Sequence, residues 1–194
     1  MKVKYSDLKN KRVFITGGGS GIGASIVEHF CEQGSEVYFV DINIKETNRL
    51  LKKIKKNKFR MPNFIECNLL DINKLEKIIK KIISTKGPIH ALVNSAANDD
   101  RHTTDQVDEK YWENRMAINL KHYFFAAKAV VKAMKKIKSG SIVNLSSVSW
   151  MLGEGDKVVY ETAKSAVVGL TRSFAQEYGK YNIRTNSVVP GSIA

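Results

Sequence analysis

The sequence predicts an α/β fold: an open, doubly wound parallel sheet with helices on both faces. Three observations carry that prediction. Six short apolar or β-branched runs alternate with five longer segments whose apolar residues recur every three or four positions. Strand, helix, strand, repeated, implies right-handed crossovers and therefore parallel neighbours. The 194 residues contain 43% apolar residues with no repeat or linker-like stretch, which suits one core in one domain spanning residues 1–194.

Each element has its own justification. The first strand is predicted over 13–16, and a glycine-rich turn follows it. The helix over 21–33 aligns Ile22, Ile26 and Phe30 on one face. A strand over 36–40 precedes a helix over 45–56, where Leu50, Leu51 and Ile54 interleave with lysines. The strand over 63–67 leads to a helix over 72–85 with Ile78, Ile79, Ile82 and Ile83. The strand over 91–94 is followed by a long helix over 109–136. Strands over 141–145 and 184–189 flank the last helix, 160–178. In such sheets ligands sit beyond the carboxyl ends of the strands, so residues that carry chemistry should follow strands.

Composition excludes several classes. The formal net charge is +13, from 32 Lys+Arg against 19 Asp+Glu. The lysines fall between apolar positions at helical spacing, the pattern of solvated helix faces. No zinc-finger, RNP-like or helix-turn-helix signature accompanies them, so no nucleic-acid partner is expected. No run approaches the roughly 18 apolar residues of a membrane span. The polar N-terminus lacks an apolar signal core, and a cytoplasmic protein is expected. Cys31 and Cys67 form no pair motif, so neither a disulfide framework nor a metal site is expected.

The first strand tip reads as a nucleotide site. Thr16-Gly-Gly-Gly-Ser-Gly-Ile-Gly23 follows a strand and opens a helix. Glycines there let backbone N–H groups approach a pyrophosphate, and the helix N-terminus adds partial positive charge. Asp41 ends the second strand, where a carboxylate accepts hydrogen bonds from adenosine ribose hydroxyls and repels a 2′-phosphate. NAD is therefore expected over NADP in a Rossmann-type domain. A second reading of Asp41, as the cap of the next helix, stays open. Asn68 with Leu69, and Asn94-Ser95-Ala96-Ala97, follow the third and fourth strands and suit an adenine and ribose pocket.

The fifth strand runs into Ser146-Ser147, with Tyr160 thirteen residues after Ser147 and Lys164 four after that. Positions i and i+4 share a helix face. A Lys ammonium beside a phenol favours the phenolate, and a serine hydroxyl can hold the oxygen from which the phenolate takes a proton.

With these pieces together, the whole chain resembles the short-chain dehydrogenase/reductase family. The family's cofactor turn matches Thr16, Gly17, Gly21 and Gly23, its catalytic residues match Asn119, Ser147, Tyr160 and Lys164, and its proline-glycine matches Pro190-Gly191. The resemblance implies that Ser20, Ile22, Asp41, Asn68, Leu69, Asn94, Ala96 and Ile193 join those glycines, Tyr160, Lys164 and Pro190-Gly191 around the dinucleotide. It further implies that Asn119 holds a water continuing a proton path from Lys164. Three positions depart from the pattern: Asn68 replaces an aspartate, Ala97 a glycine, and Ala194 a threonine.

Two stretches, residues 98–102 with 111–125 and Ser147-Val148-Ser149-Trp150, are similar to bacterial NAD-dependent aldose 1-dehydrogenases of the xylose dehydrogenase type. That likeness implies oxidation of the anomeric C1 hydroxyl to a lactone, with Tyr160 as base. Asn98, Asp99, Arg101, His102, Ser147 and Trp150 are then the candidate substrate contacts. The blander reading also stands: Asp100, Arg101 and His102 as a salt-bridged loop, Trp150 as packing. Two other functions stay open, a ketone or 3-oxoacyl reductase and a catalytically silent nucleotide-binding remnant. Family members continue beyond the sixth strand and commonly form homo-oligomers, so the resemblance implies a C-terminally truncated chain whose last edge strand is missing.

Overall fold

In the computed structural model, which describes residues 3–193, the expected alternation is present. The strands are β1 (Arg12–Thr16), β2 (Glu36–Asp41), β3 (Asn63–Glu66), β4 (Ala91–Asn94), β5 (Gly140–Leu145) and β6 (Ile183–Val188). The helices are α1 (Gly21–Glu32), α2 (Ile44–Lys56), α3 (Ile72–Lys86), α4 (Glu109–Met116), α5 (His122–Ile137), α6 (Ser149–Leu152) and α7 (Val158–Tyr178). All strand pairs are parallel, in the order β3-β2-β1-β4-β5-β6. β6 pairs with β5 and forms one edge.

Strand periodicity sorts the core into two layers. In β1, Phe14 faces a cluster with Leu75 and Ile79 of α3, Val130 and Met134 of α5, and Phe174 of α7. Val13 and Ile15 face the other side, against Val27 and Cys31 of α1 and Leu50 and Ile54 of α2. Both faces of the central strands are covered, which is why β1 and β2 read as unbroken apolar runs. Each fully buried large aliphatic contributes about 1.5–3 kcal/mol by leaving water. Asn43, Asp71 and Asp108 cap α2, α3 and α4 by accepting the N–H groups of Glu46, Lys74 and Tyr111.

The structure corrects three boundaries. The ladders take in polar or flexible ends that the apolar pattern omitted, as where Arg12 pairs with Glu36 and Gly140 with Ile183. The predicted helix over 109–136 is interrupted, because a π-helical turn, Ala117–Lys121, separates α4 from α5. The short helix α6, which carries Trp150, lies in a stretch for which the sequence predicts no element.

The strand order reverses between β1 and β4. That switch point opens a crevice at the carboxyl ends of the strands, and the candidate site lies there.

Candidate active site

A cleft of about 620 Å³ runs along these strand ends. It is lined by Gly17, Ser20, Gly21, Ile22 and Gly23 after β1, by Asp41 after β2, and by Asn68 and Leu69 after β3. Ala96, Ala97, Asn98 and Asp99 follow β4, and Tyr160, Lys164 and Pro190 complete it.

The glycine turn is held by its neighbours. The N–H groups of Gly17 and Gly18 donate to the Val40 carbonyl at 2.8 and 3.2 Å. Gly21 has φ +51°, which favours glycine, and no atom lies within 4 Å of where its Cβ would stand. At Gly23 a Cβ would overlap the Gly17 carbonyl oxygen, so this glycine lets α1 start directly against the turn.

Asp41 links the turn to the second strand. Its Oδ2 accepts from Gly19 N at 2.7 Å and its Oδ1 from Asn43 N at 2.8 Å. The cap of α2 is Asn43, not Asp41, which settles the alternative left open above. Asn68 Oδ1 accepts from Leu70 N at 3.0 Å in its turn. Asn94 does not line the cleft. It is buried, and its Nδ2 donates to Asn144 Oδ1 at 2.9 Å, while Asn144 reaches Thr171 of α7 at 3.0 Å. That relay ties β4, β5 and α7 together.

α7 brings Tyr160 and Lys164 to the cleft on one face, as their spacing required. Ser146 fastens the turn between them, its Oγ donating to the Lys164 carbonyl at 2.7 Å. Ser147 faces Tyr160, and Ser147 Oγ accepts from Ser149 N at 3.2 Å and from Ser149 Oγ at 3.0 Å. Burial pushes the Tyr160 phenol above its ordinary value; Ser147 pulls it down, Asp99 raises it, Lys157 lowers it and Glu154 raises it. Lys164, expected to depress this phenol, is not among the groups that shift it here. The Lys164 amine lies 5.5 Å from the Tyr160 ring centre and donates to Tyr123 Oη at 2.9 Å and the Leu145 carbonyl at 2.7 Å. Burial also pushes Lys164 itself down to about 7, with Asp99 opposing.

Asn119 sits in the π-helical turn, fully buried. Its Oδ1 accepts from Asn98 N at 2.8 Å and its Nδ2 donates to the Asn98 carbonyl at 2.9 Å. Both ends of the amide thus hold the loop that presents Asn98 and Asp99. Asn119→Ala orphans two backbone groups, each costing about 1–3 kcal/mol if left unpaired. A lower urea midpoint with an unchanged slope is the expected result.

Arg101, His102 and Trp150 do not line the cleft. Arg101 is exposed and ion-paired with Asp156. His102 is buried, with Nδ1 2.9 Å from both the Asp100 carbonyl and Tyr111 Oη, and Nε2 accepting from Val159 N at 3.3 Å. Asp100 pairs with Arg115 at 2.9 Å. These bonds make the salt-bridged loop and fasten it to the start of α7, one residue before Tyr160. Trp150 Nε1 is buried with no hydrogen-bond partner among the described residues. Gly191 and Ile193 are exposed and lie off the cleft lining, and Ala194 lies outside the described residues. Sequence reasoning missed Ser146, Ile118 and Tyr123. The four-residue spacing of Asn119 and Tyr123 was the available signal for the last of these.

The fold and the cleft define a class of protein. A family model described as short chain dehydrogenase matches residues 11–194, and the chain belongs to that family. It is an oxidoreductase acting on CH–OH groups, and dehydrogenases of this family use NAD or NADP. Individual relatives narrow the comparison. The chain is 41% identical to the D-xylose 1-dehydrogenase of Caulobacter vibrioides over 189 residues, 97% of this chain and 74% of that protein. It is 38% identical to a Rhizobium meliloti protein named "Probable galactose dehydrogenase GalD", over 98% of this chain and 74% of that one. The crystal structure of Cj0485 dehydrogenase superposes with a TM-score of 0.86 at 31% identity, over 96% of this chain and 70% of that one. Among the described residues no helix is long and apolar enough to cross a membrane, and no group of three or more His, Cys, Asp or Glu could hold a metal.

Proposed function

We propose that the chain is an NAD-dependent dehydrogenase that oxidises the C1 hydroxyl of a cyclic aldose to a lactone. The observation that carries this is the shared cleft: the glycine turn, Asp41, the Tyr160–Lys164 pair, and Asn98 with Asp99 border one continuous space. The names of the xylose and galactose relatives support an aldose as substrate.

The residues fit a nicotinamide dinucleotide. The open space at Gly21 leaves backbone bare to the cleft, and the first-turn N–H groups of α1 have no intrahelical acceptors. Asp41 and Asn68 would hold the adenosine end; Tyr160, Lys164 and Pro190 would hold the nicotinamide end. When bound, the nicotinamide supplies the acceptor for the hydride leaving C1.

The chain's own residues manage one proton. Tyr160 Oη takes it from the anomeric hydroxyl as general base. Ser147 and the Lys157 cation favour the anionic phenol. Asn98 and Asp99 serve the neighbouring sugar hydroxyls, and Asn119 acts by holding that loop.

The test is a screen of aldoses for NADH formation. Turnover with D-xylose or D-galactose is expected. Faster NADPH oxidation with a 3-oxoacyl thioester would replace this reading with the reductase. Cofactor choice has its own test. Removing the Asp41 charge by Asp41→Ser should move the NAD-to-NADP preference toward NADP by about tenfold, ~1.4 kcal/mol. An unchanged ratio would mean that Asp41 serves only to brace the glycine turn.

A further inference from the structure

We propose that Tyr123 is the positioning residue for Lys164: its hydroxyl, braced by strand-end carbonyls, fixes where the amine sits and how tightly it holds its proton. The part concerning turnover rests on the function proposed above; the part concerning Lys164 does not.

The geometry starts from helix spacing. Tyr123 lies four residues beyond Asn119, in the first turn of α5, and is fully buried. Its hydroxyl lies 3.0 Å from the Leu145 carbonyl at the end of β5 and 3.3 Å from the Ala96 carbonyl after β4. A phenol has one proton to give, so it donates to these carbonyls and keeps a lone pair for Lys164 Nζ at 2.9 Å. Lys164 reaches the same Leu145 carbonyl at 2.7 Å. Lys164 is 1% exposed, its amine lodged between a phenol on α5 and a carbonyl of β5.

The charged and titratable groups around it are few. Asp99, from the loop after β4, favours the ammonium. His122 of α5 is pushed down to about 3 by burial and then by Lys164, so it stays neutral and adds no charge. Tyr160, on α7 itself, is neutral until high pH, and burial raises the Tyr123 phenol as well. Tyr123 therefore acts as a neutral acceptor. Burial disfavours the Lys164 ammonium, and the Tyr123 oxygen offsets part of that cost by accepting one of its N–H groups. Removing that oxygen leaves the Leu145 carbonyl to hold the ammonium, and the free amine gains.

The experiment uses the full chain labelled with ¹³Cε-lysine. The Lys164 resonance, assigned by its loss in Lys164→Arg, is titrated from pH 5 to 10 without cofactor or sugar. In Tyr123→Phe its midpoint should fall by about one pH unit, a tenfold weaker hold on the proton. An unchanged midpoint overturns the proposal. Should Tyr123→Phe fail to fold, 3-fluorotyrosine at position 123 alone keeps the shape and weakens the acceptor. A smaller downward shift is then expected, and no shift overturns. In turnover, Tyr123→Phe should lower kcat with little change in KM. A shifted Lys164 midpoint in a chain that oxidises no aldose would sink the sugar assignment and leave the role of Tyr123 standing.

Discussion

Tyr160→Phe is expected to lower kcat for aldose oxidation by about 10²–10⁴-fold, the range for loss of a positioned general base. The ring stays, so packing should hold while the proton acceptor is lost. The direction of the Tyr160 shift adds a pH signature. Burial outweighs the Ser147 and Lys157 contributions and holds the phenol above its ordinary value, so its anionic fraction is small at neutral pH. Oxidation by the unmodified chain should therefore climb about tenfold per pH unit across the neutral and mildly alkaline range. The variant should lack that climb. Initial rates of NADH formation from pH 6 to 10, with NAD affinity measured by calorimetry, check both statements. Equal rates in the two proteins would remove Tyr160 from the reaction.

Gly23→Ala is the second large effect. A methyl at this position falls on the Gly17 carbonyl oxygen, and neither backbone segment is free to yield. α1 is seated on the sheet through Val27 and Cys31, and Gly17 is bonded to Val40 at 2.8 Å. The turn must shift, at about 1–3 kcal/mol of stability. Dinucleotide affinity should fall about a hundredfold, ~2.7 kcal/mol, because the N–H groups of the turn lose their arrangement. Gly169→Ala is the control: it lies inside α7 with nothing within 4 Å of its added methyl, and it should stabilise by about 0.5–1 kcal/mol. Urea denaturation and NAD calorimetry on the two variants make the comparison. Equal effects at the two glycines would mean the contact with Gly17 is not what makes residue 23 special.

The central strands were legible because they are covered on both faces and so appear as apolar runs, as Val13-Phe-Ile-Thr16 does. The break at Ala117–Lys121 was not, because its cause is tertiary. Asn119 spends both ends of its amide on the backbone of Asn98, twenty-one residues earlier, and the helix widens where that happens. α6 is only four residues long and has no periodicity to read. Within the site, the glycine turn, Asp41, Tyr160 and Lys164 were legible because their chemistry needs a particular spacing after a strand. The placement of Arg101 and His102 was not legible, because a polar loop has the same composition whether it faces a ligand or bonds to itself. Here it bonds to itself, through Asp156 and Tyr111. The aim of the Lys164 amine was also hidden, since the hydroxyl that claims it belongs to Tyr123, forty-one residues away in sequence.

The most direct measurement follows the hydrogen on C1. D-Xylose carrying deuterium at C1 is incubated with the chain and NAD, and both products are examined by mass spectrometry. Deuterium should appear in the reduced nicotinamide, with one xylonolactone formed per dinucleotide reduced. Reduced nicotinamide without the label, or no reduction with this or any aldose in the screen, would contradict a cleft built to take a hydride and a proton from the anomeric carbon of a sugar.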